Sequence, residues 1–180
     1  MSTQPATAAA TYQDLLARIA PQGESRAIND PATGEEVGRA PVHTTADLDA
    51  AVASARAAQP AWGALSHAER SDHLNRAADA IEAHAEALAE LLSREQGKPL
   101  NGPNARFEVG ACSAWLRATA AFELEPDVVV DEEGTHAAVH YRPLGVVGAI
   151  VPWNFPTTLL SNKLAPAVVA GNTVVAKPAG

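Results

Sequence analysis

Cysteine is almost missing from this chain. Among 180 residues there is one, Cys112, so no disulfide can close within the chain, which fits a reducing compartment. Basic residues are also scarce: 13 Lys and Arg stand against 21 Asp and Glu, a formal net charge of -8. Nucleic acid and anionic membranes select basic patches, and no basic cluster offsets this deficit, so neither is expected as a partner. The opening MSTQPATAAATYQ lacks the positive start and apolar block of a secretory signal. Nowhere do the roughly 18 apolar residues of a membrane helix run together. A cytoplasmic location is the resulting expectation. The six histidines give no metal pattern: His136 and His140 fall about 13 Å apart on an expected strand, and none of His67, His73 and His84 is paired at i, i+4. The dinucleotide fingerprint G-x-G-x-x-G is absent, and Gly145 with Gly148 alone is a weak signal.

What the chain does have is 47% hydrophobic residues, enough for a sizeable core. Residues 1–11 are small and polar and are expected to be disordered. Two extended runs from Arg26 to Pro41 flank a turn containing Pro31 and Gly34, which predicts a β-hairpin. Thr44 and Asp47 form an N-terminal cap for a helix with Leu48, Ala51, Val52 and Ala55 on one face. Ser66 and Glu69 make a capping box for a second helix, whose apolar face continues through Leu88 and Leu92 until Gly97 ends it. A third helix is expected from Ala105 to Phe122. Its residues Val109, Cys112 and Leu116 fall at i, i+3 and i+7, placing the thiol on the packed face. Val128–Val130 and Ala137–Tyr141 then read as strands joined by a polar turn, and the acids around them as a solvated face.

The run Val146–Val151 is apolar and β-branched without alternation, the pattern of a strand covered on both faces. The segment from Thr157 to Ala170 reads as helical, with Pro166 expected to kink or split it, and Thr173–Ala176 as the next strand. A strand, helix, strand order is a βαβ unit, whose ligand side lies at the carboxyl ends of its strands. Asn154 and Lys177 both fall there. Pro152 and Pro156 stiffen the turn around Asn154, so its amide can be aimed; the bland alternative is an Asn that bonds only its own turn. Lys177 leaves an apolar strand where an ammonium is costly unless it enters a polar cleft, the alternative being a side chain that snorkels to the surface. Lys163, Lys98 and Gln96 read as structural or solvent-exposed.

The stretches GVVGAIVPWNFP (Gly145 to Pro156) and KLAPAVVAGNTVVAKPAG (Lys163 to Gly180) closely resemble the aldehyde dehydrogenase superfamily, whose members carry a PWNFP turn and a later GNTVV-x-KP strand at this spacing. Looser similarity through DPATGEEVGRAP and SREQGKPL extends it over about residues 26–180, roughly the first third of a family member. The resemblance implies an α/β fold: the start of an atypical Rossmann-like parallel sheet, lacking the glycine fingerprint, with N-terminal helices and a protruding β-hairpin. Residues 12–180 would be the N-terminal part of an NAD(P)-binding domain, with an oligomerisation arm at about 124–142; the catalytic domain would be absent and the chain alone inactive. The implied reaction is NAD(P)-dependent oxidation of a small-molecule aldehyde to a carboxylic acid through a cysteine thiohemiacetal and thioester, in a homo-oligomer, dimer or tetramer.

In that reaction the resemblance makes Asn154 the catalytic oxyanion donor. It gives the backbone of Ile150, Val151, Pro152 and Trp153 to the nicotinamide ribose, and Lys177 with Ala179 to the adenosine ribose. Many NAD-using members carry Glu where this chain has Gly180, so NAD and NADP both stay open. Neither the thiol nucleophile nor the catalytic carboxylate has a match. A CoA-acylating or acyl-phosphate semialdehyde dehydrogenase, or a noncatalytic assembly fragment, are the alternatives.

Overall fold

The computed structural model describes residues 10–179. Residues 1–9, most of the segment expected to be disordered, and Gly180, the position bearing on NAD against NADP, lie outside the described residues. Along the chain come α1 (Tyr12–Arg18), β1 (Ser25–Asn29), β2 (Glu36–Pro41), α2 (Thr45–Gly63), α3 (His67–Ala83), α4 (Ala85–Gln96), α5 (Ala105–Ala120), β3 (Asp127–Glu132), β4 (Thr135–Val139), β5 (Val146–Ile150), α6 (Pro156–Val169) and β6 (Thr173–Lys177). The chain divides into two compact units, one of the described residues up to His43 with Ala80–Ala111, the other of Thr44–Asp79 with the described residues from Cys112 on.

Local chemistry sets the helix starts. Thr11, Thr44 and Ser66 each accept from the backbone N–H three residues on, and the acid there bonds back, closing capping boxes with Asp14, Asp47 and Glu69. The first of these makes Thr11 the N-cap of α1. In α2 the inward residues are Val52, Ala55 and Gln59, whereas Leu48 and Ala51 are exposed. The long second helix is in fact two, because His84 leaves helical geometry at φ -117°, ψ 16°. Gly97 ends α4 as expected, at φ +67°. A Cβ there would lie 2.6 Å from Pro31 Cγ, so both the dihedral and the space require glycine.

In the first unit, Ala89 and Leu92 of α4 and Ala105 and Val109 of α5 form a core, with Ile81, Ala85, Leu88 and Leu100 packed against it. Glu108 is buried within the same unit and bonded to Lys98 Nζ at 2.5 Å. β1 and β2 pair antiparallel, as the sequence predicts.

The second unit is built on β5 and β6, which pair in parallel from Val146↔Thr173 to Ile150↔Lys177, with α6 as the crossover. Ser161, Ala165 and Val169 form the buried row of α6. Three expectations change here. Ala149 and Val151 are buried while Ile150 is 71% exposed, so the end of β5 is covered on one face only; an unbroken apolar run cannot say which face a neighbour covers. Pro166 does not split α6, which runs unbroken to Val169, with its last carbonyls held by side chains from outside the helix. Cys112 is half-buried rather than packed, because the buried row of α5 runs Val109, Ser113, Leu116, Ala120, beside it. β3 and β4 form the expected hairpin, turning at Glu133 and Gly134, with an irregular register near Val128 and Val130.

Candidate active site

Asn154 sits in the five-residue turn between β5 and α6. Pro152 fixes φ at its entry, and Pro156 occupies the first position of α6, where a missing N–H costs nothing. Phe155 is the N-cap and contributes no side-chain cap bond, though its carbonyl accepts from Leu159 N–H at 2.9 Å. No acid lies in the first turn of α6. Asn154, an exposed residue, therefore precedes the positive end of a 14-residue helix that has no acid in its own first turn, a field that favours negative charge nearby.

Lys177 is the last residue of β6 and pairs with Ile150. Its carbonyl accepts the Val151 N–H at 3.1 Å, which extends the ladder one step into the turn. The turn carrying Asn154 and the strand end carrying Lys177 are thus joined at one edge of the parallel pair, the carboxyl edge. Around them, Ile150 and Trp153 present large apolar surfaces, Trp153 being 74% exposed. Pro152 and Lys177 are exposed and Ala179 is half-buried. Val151 differs: its side chain is buried and its N–H is engaged, so it can meet a ligand only through its remaining backbone. Exposed apolar surface with one cation and one amide at the strand ends suits a ligand with flat rings and polar hydroxyls.

Elsewhere, Lys163 is exposed on α6 and Lys98 is structural, as read from sequence. Sequence reasoning passed over Asn162, two turns into α6, whose Oδ1 is buried with no hydrogen-bond partner. A polar side chain within LLSNKLAP was the available signal. Asn172, read as a helix terminator, also binds: its Oδ1 accepts Gly145 N–H at 2.9 Å and its Nδ2 donates to the Ala167 carbonyl at 3.1 Å. Among the described residues no three His, Cys, Asp or Glu side chains gather to hold a metal ion, and no helix is long and apolar enough to cross a membrane.

The profile of the Aldehyde dehydrogenase family matches residues 19–180. The 3,6-anhydro-alpha-L-galactose dehydrogenase of Streptomyces coelicolor is 41% identical over 150 residues, which are 83% of this chain and 30% of that protein. Among solved structures, the NADP-dependent glyceraldehyde-3-phosphate dehydrogenase of Bacillus halodurans C-125, complexed with NADP, aligns with a TM-score of 0.79 at 36% identity, over 87% of this chain and 34% of that one. PnpE, a protein of Pseudomonas sp. WBC-3, in complex with nicotinamide adenine dinucleotide, aligns with a TM-score of 0.78 at 38% identity, over 86% and 32%. The chain spans about a third of the length of the relatives it matches.

Proposed function

Because the chain belongs to the aldehyde dehydrogenase family, we propose that it supplies the cofactor-facing part of an NAD(P)-dependent enzyme that oxidises a small-molecule aldehyde to a carboxylic acid. The observation that carries this reading is the Ile150–Lys177 pairing with its Val151 N–H bond, which joins the Asn154 turn to the Lys177 strand end. Addition of a thiolate to the aldehyde carbon moves the carbonyl electrons onto oxygen. Asn154 donates an amide N–H to that oxyanion; the amide does not titrate, so it donates at any working pH, and the α6 N-terminus adds to the same field. A bound nicotinamide would supply the hydride acceptor. The thiol nucleophile and the carboxylate that activates water have no match in these residues.

Ile150 and Trp153 offer exposed surface, and Val151 and Pro152 backbone, to the nicotinamide ribose. Lys177 donates to the adenosine ribose, with Ala179 beside it. The cofactor is NAD or NADP. Titrating both into the full-length protein and its Lys177→Ala variant tests this: cofactor Kd should rise about tenfold, the loss of one hydrogen bond to a charged group. Unchanged affinity for both cofactors would remove Lys177 from the site.

The same reading makes the protein a homo-oligomer, dimer or tetramer, in the cytoplasm. The support for assembly is the β3–β4 ribbon, whose Val128, Val129 and Val139 are exposed, Val129 to 67%, with Tyr141 exposed just beyond its end. An isolated two-stranded ribbon is marginal in water and gains by pairing. Replacing Val129 and Val139 by Lys should lower the mass measured in solution.

A further inference from the structure

The base of the parallel pair, opposite the site, is gripped by side chains distant in sequence. α6 has no basic residue in its own last turn, although its final carbonyls need donors. The backbone N–H groups of Ala170, Gly171 and Asn172 bond the Pro166, Val168 and Ala167 carbonyls, and further donors come from α2 and α3. Trp62 Nε1 donates to the Val168 carbonyl at 2.9 Å, Arg70 Nε to the Val169 carbonyl at 2.7 Å, and Gln59 Nε2 to the Gly171 carbonyl at 3.3 Å. Arg70 Nη1 also donates to the Leu65 carbonyl, so the guanidinium ties the α2–α3 connection to the end of α6. On β6 itself, Thr173 Oγ1 donates to the Ala55 carbonyl at 2.9 Å. Gly171, at φ +91°, lies so close to Gly63 that a Cβ on it would be 3.6 Å from Gly63 Cα. Asn172 joins the start of β5 to the same point through Gly145 N–H.

We propose that Arg70, with Trp62 beside it, is a positioning residue for the cofactor: it sets where β6 begins and therefore where Lys177 ends. The inference rests on the cofactor reading of Lys177. β6 is a five-residue strand, so its two ends are about 13 Å apart. A strand held by ladder hydrogen bonds moves as a unit, and β5 shares its origin at Asn172. A displacement at Val169 thus reaches both Lys177 and Ile150. The guanidinium suits this task because it makes two directed bonds and also places a cation at a helix C-terminus. Lysine would keep the charge and lose the bridge between the Val169 and Leu65 carbonyls.

The test uses the full-length protein with Arg70→Lys, Trp62→Phe, Lys177→Ala and the Arg70→Lys/Lys177→Ala double variant. The quantities read are cofactor Kd on folded protein, kcat at saturating cofactor, and Tm. Arg70→Lys should raise cofactor Kd about tenfold, within the range of coupling through packed networks, and leave kcat within about twofold. Added to Lys177→Ala, it should raise Kd by clearly less than tenfold, because the Lys177 contact it displaces is already gone and only the Ile150 side is left to disturb. A lower Tm with unchanged Kd in Arg70→Lys would make Arg70 a structural staple only and overturn the proposal. Full additivity in the double variant would also overturn it. If Lys177→Ala alone leaves Kd unchanged, the cofactor reading fails, and the proposal with it. Should Arg70→Lys fail to fold, Trp62→Phe, which keeps the ring and loses one donor, is read in the same way.

Discussion

Two lysines of this chain stand directly before a proline, Lys98 in QGKPL and Lys177 in VAKPA, and their surroundings are opposite. Lys98 is 14% exposed at its side chain and bonds at 2.5 Å to Glu108, which is completely buried. Lys177 is exposed at the end of a strand and pairs with Ile150, which is exposed, as is Trp153 in the adjoining turn. A carboxylate taken out of water is held by its cation, so the first lysine is committed to the fold. The second lies in water at a strand end and contributes little to any core. Local sequence does not separate the two; the carboxylate ten residues after Lys98 does.

The largest effect that could break this contrast is on stability. Lys98→Met should destabilise the protein by about 3–5 kcal/mol, since it removes the cation bonded to the buried Glu108 carboxylate. Lys177→Ala should change stability by less than about 0.5 kcal/mol, as for other surface substitutions. Denaturant unfolding of the two variants side by side is the measurement. Equal losses would mean that Lys177 is structural as well. Adding Glu108→Leu to Lys98→Met should recover most of the first loss, because the desolvated charge is then gone.

At the site the expected loss is kinetic. Asn154→Ala in the full-length protein should lower kcat by about 10²–10³, the value of one oxyanion donor, with cofactor Kd nearly unchanged. Lys177→Ala should do the reverse, raising Kd at nearly constant kcat. If both variants alter Kd and kcat together, the division of labour between turn and strand end is wrong.

Much of this was legible because it is local. The capping boxes at Thr44 and Ser66 depend on residues three apart, and Gly97 carries its own signal as a left-handed stop. The placement of Asn154 and Lys177 at the carboxyl ends of the paired strands was legible from the strand, helix, strand order. The rest depends on distant partners. Arg70 and Trp62 reach carbonyls 99 and 106 positions away, and no periodicity encodes such a bond. Cys112 was misjudged because i, i+3, i+7 admits two adjacent rows of a helix, and the row through Ser113 is the buried one. α1 was missed because seven residues with none buried leave no apolar stripe to read.

A smaller effect concerns the segment that brings Lys98 into place. Gly97→Ala should cost about 1–3 kcal/mol, because alanine must adopt φ +67° and its Cβ would meet the Pro31 ring. Gly134, also at positive φ but with nothing within 4 Å of a built Cβ, should cost less when replaced by alanine. Thermal unfolding of the two variants separates steric from dihedral strain.

The smallest effect asks whether pairing or burial is what distinguishes Lys98 from Lys177. Arg106 binds Glu86 through Nε, at 3.0 and 3.1 Å to the two carboxylate oxygens, and through Nη2 at 2.7 Å, yet the Glu86 side chain is 74% exposed. The pair is as well formed as Lys98–Glu108 but lies in water. The Arg106 hydrogen bonds hold the Glu86 carboxyl below the usual carboxylate range. A depressed folded value means that the unfolded chain takes up the proton first, so the contribution is complete above the ordinary glutamate value, about 4.3, and disappears as pH falls through the folded one. Glu86→Gln should therefore lower Tm slightly at neutral pH, the difference from the unaltered protein should vanish in acid, and about 1 M salt should shrink it as well. The deficit of Lys98→Met should survive the same salt at neutral pH, because the buried Glu108 carboxylate is shielded from ions. A loss in Glu86→Gln as large as in Lys98→Met would show that pairing alone, and not burial, commits a charge to this fold.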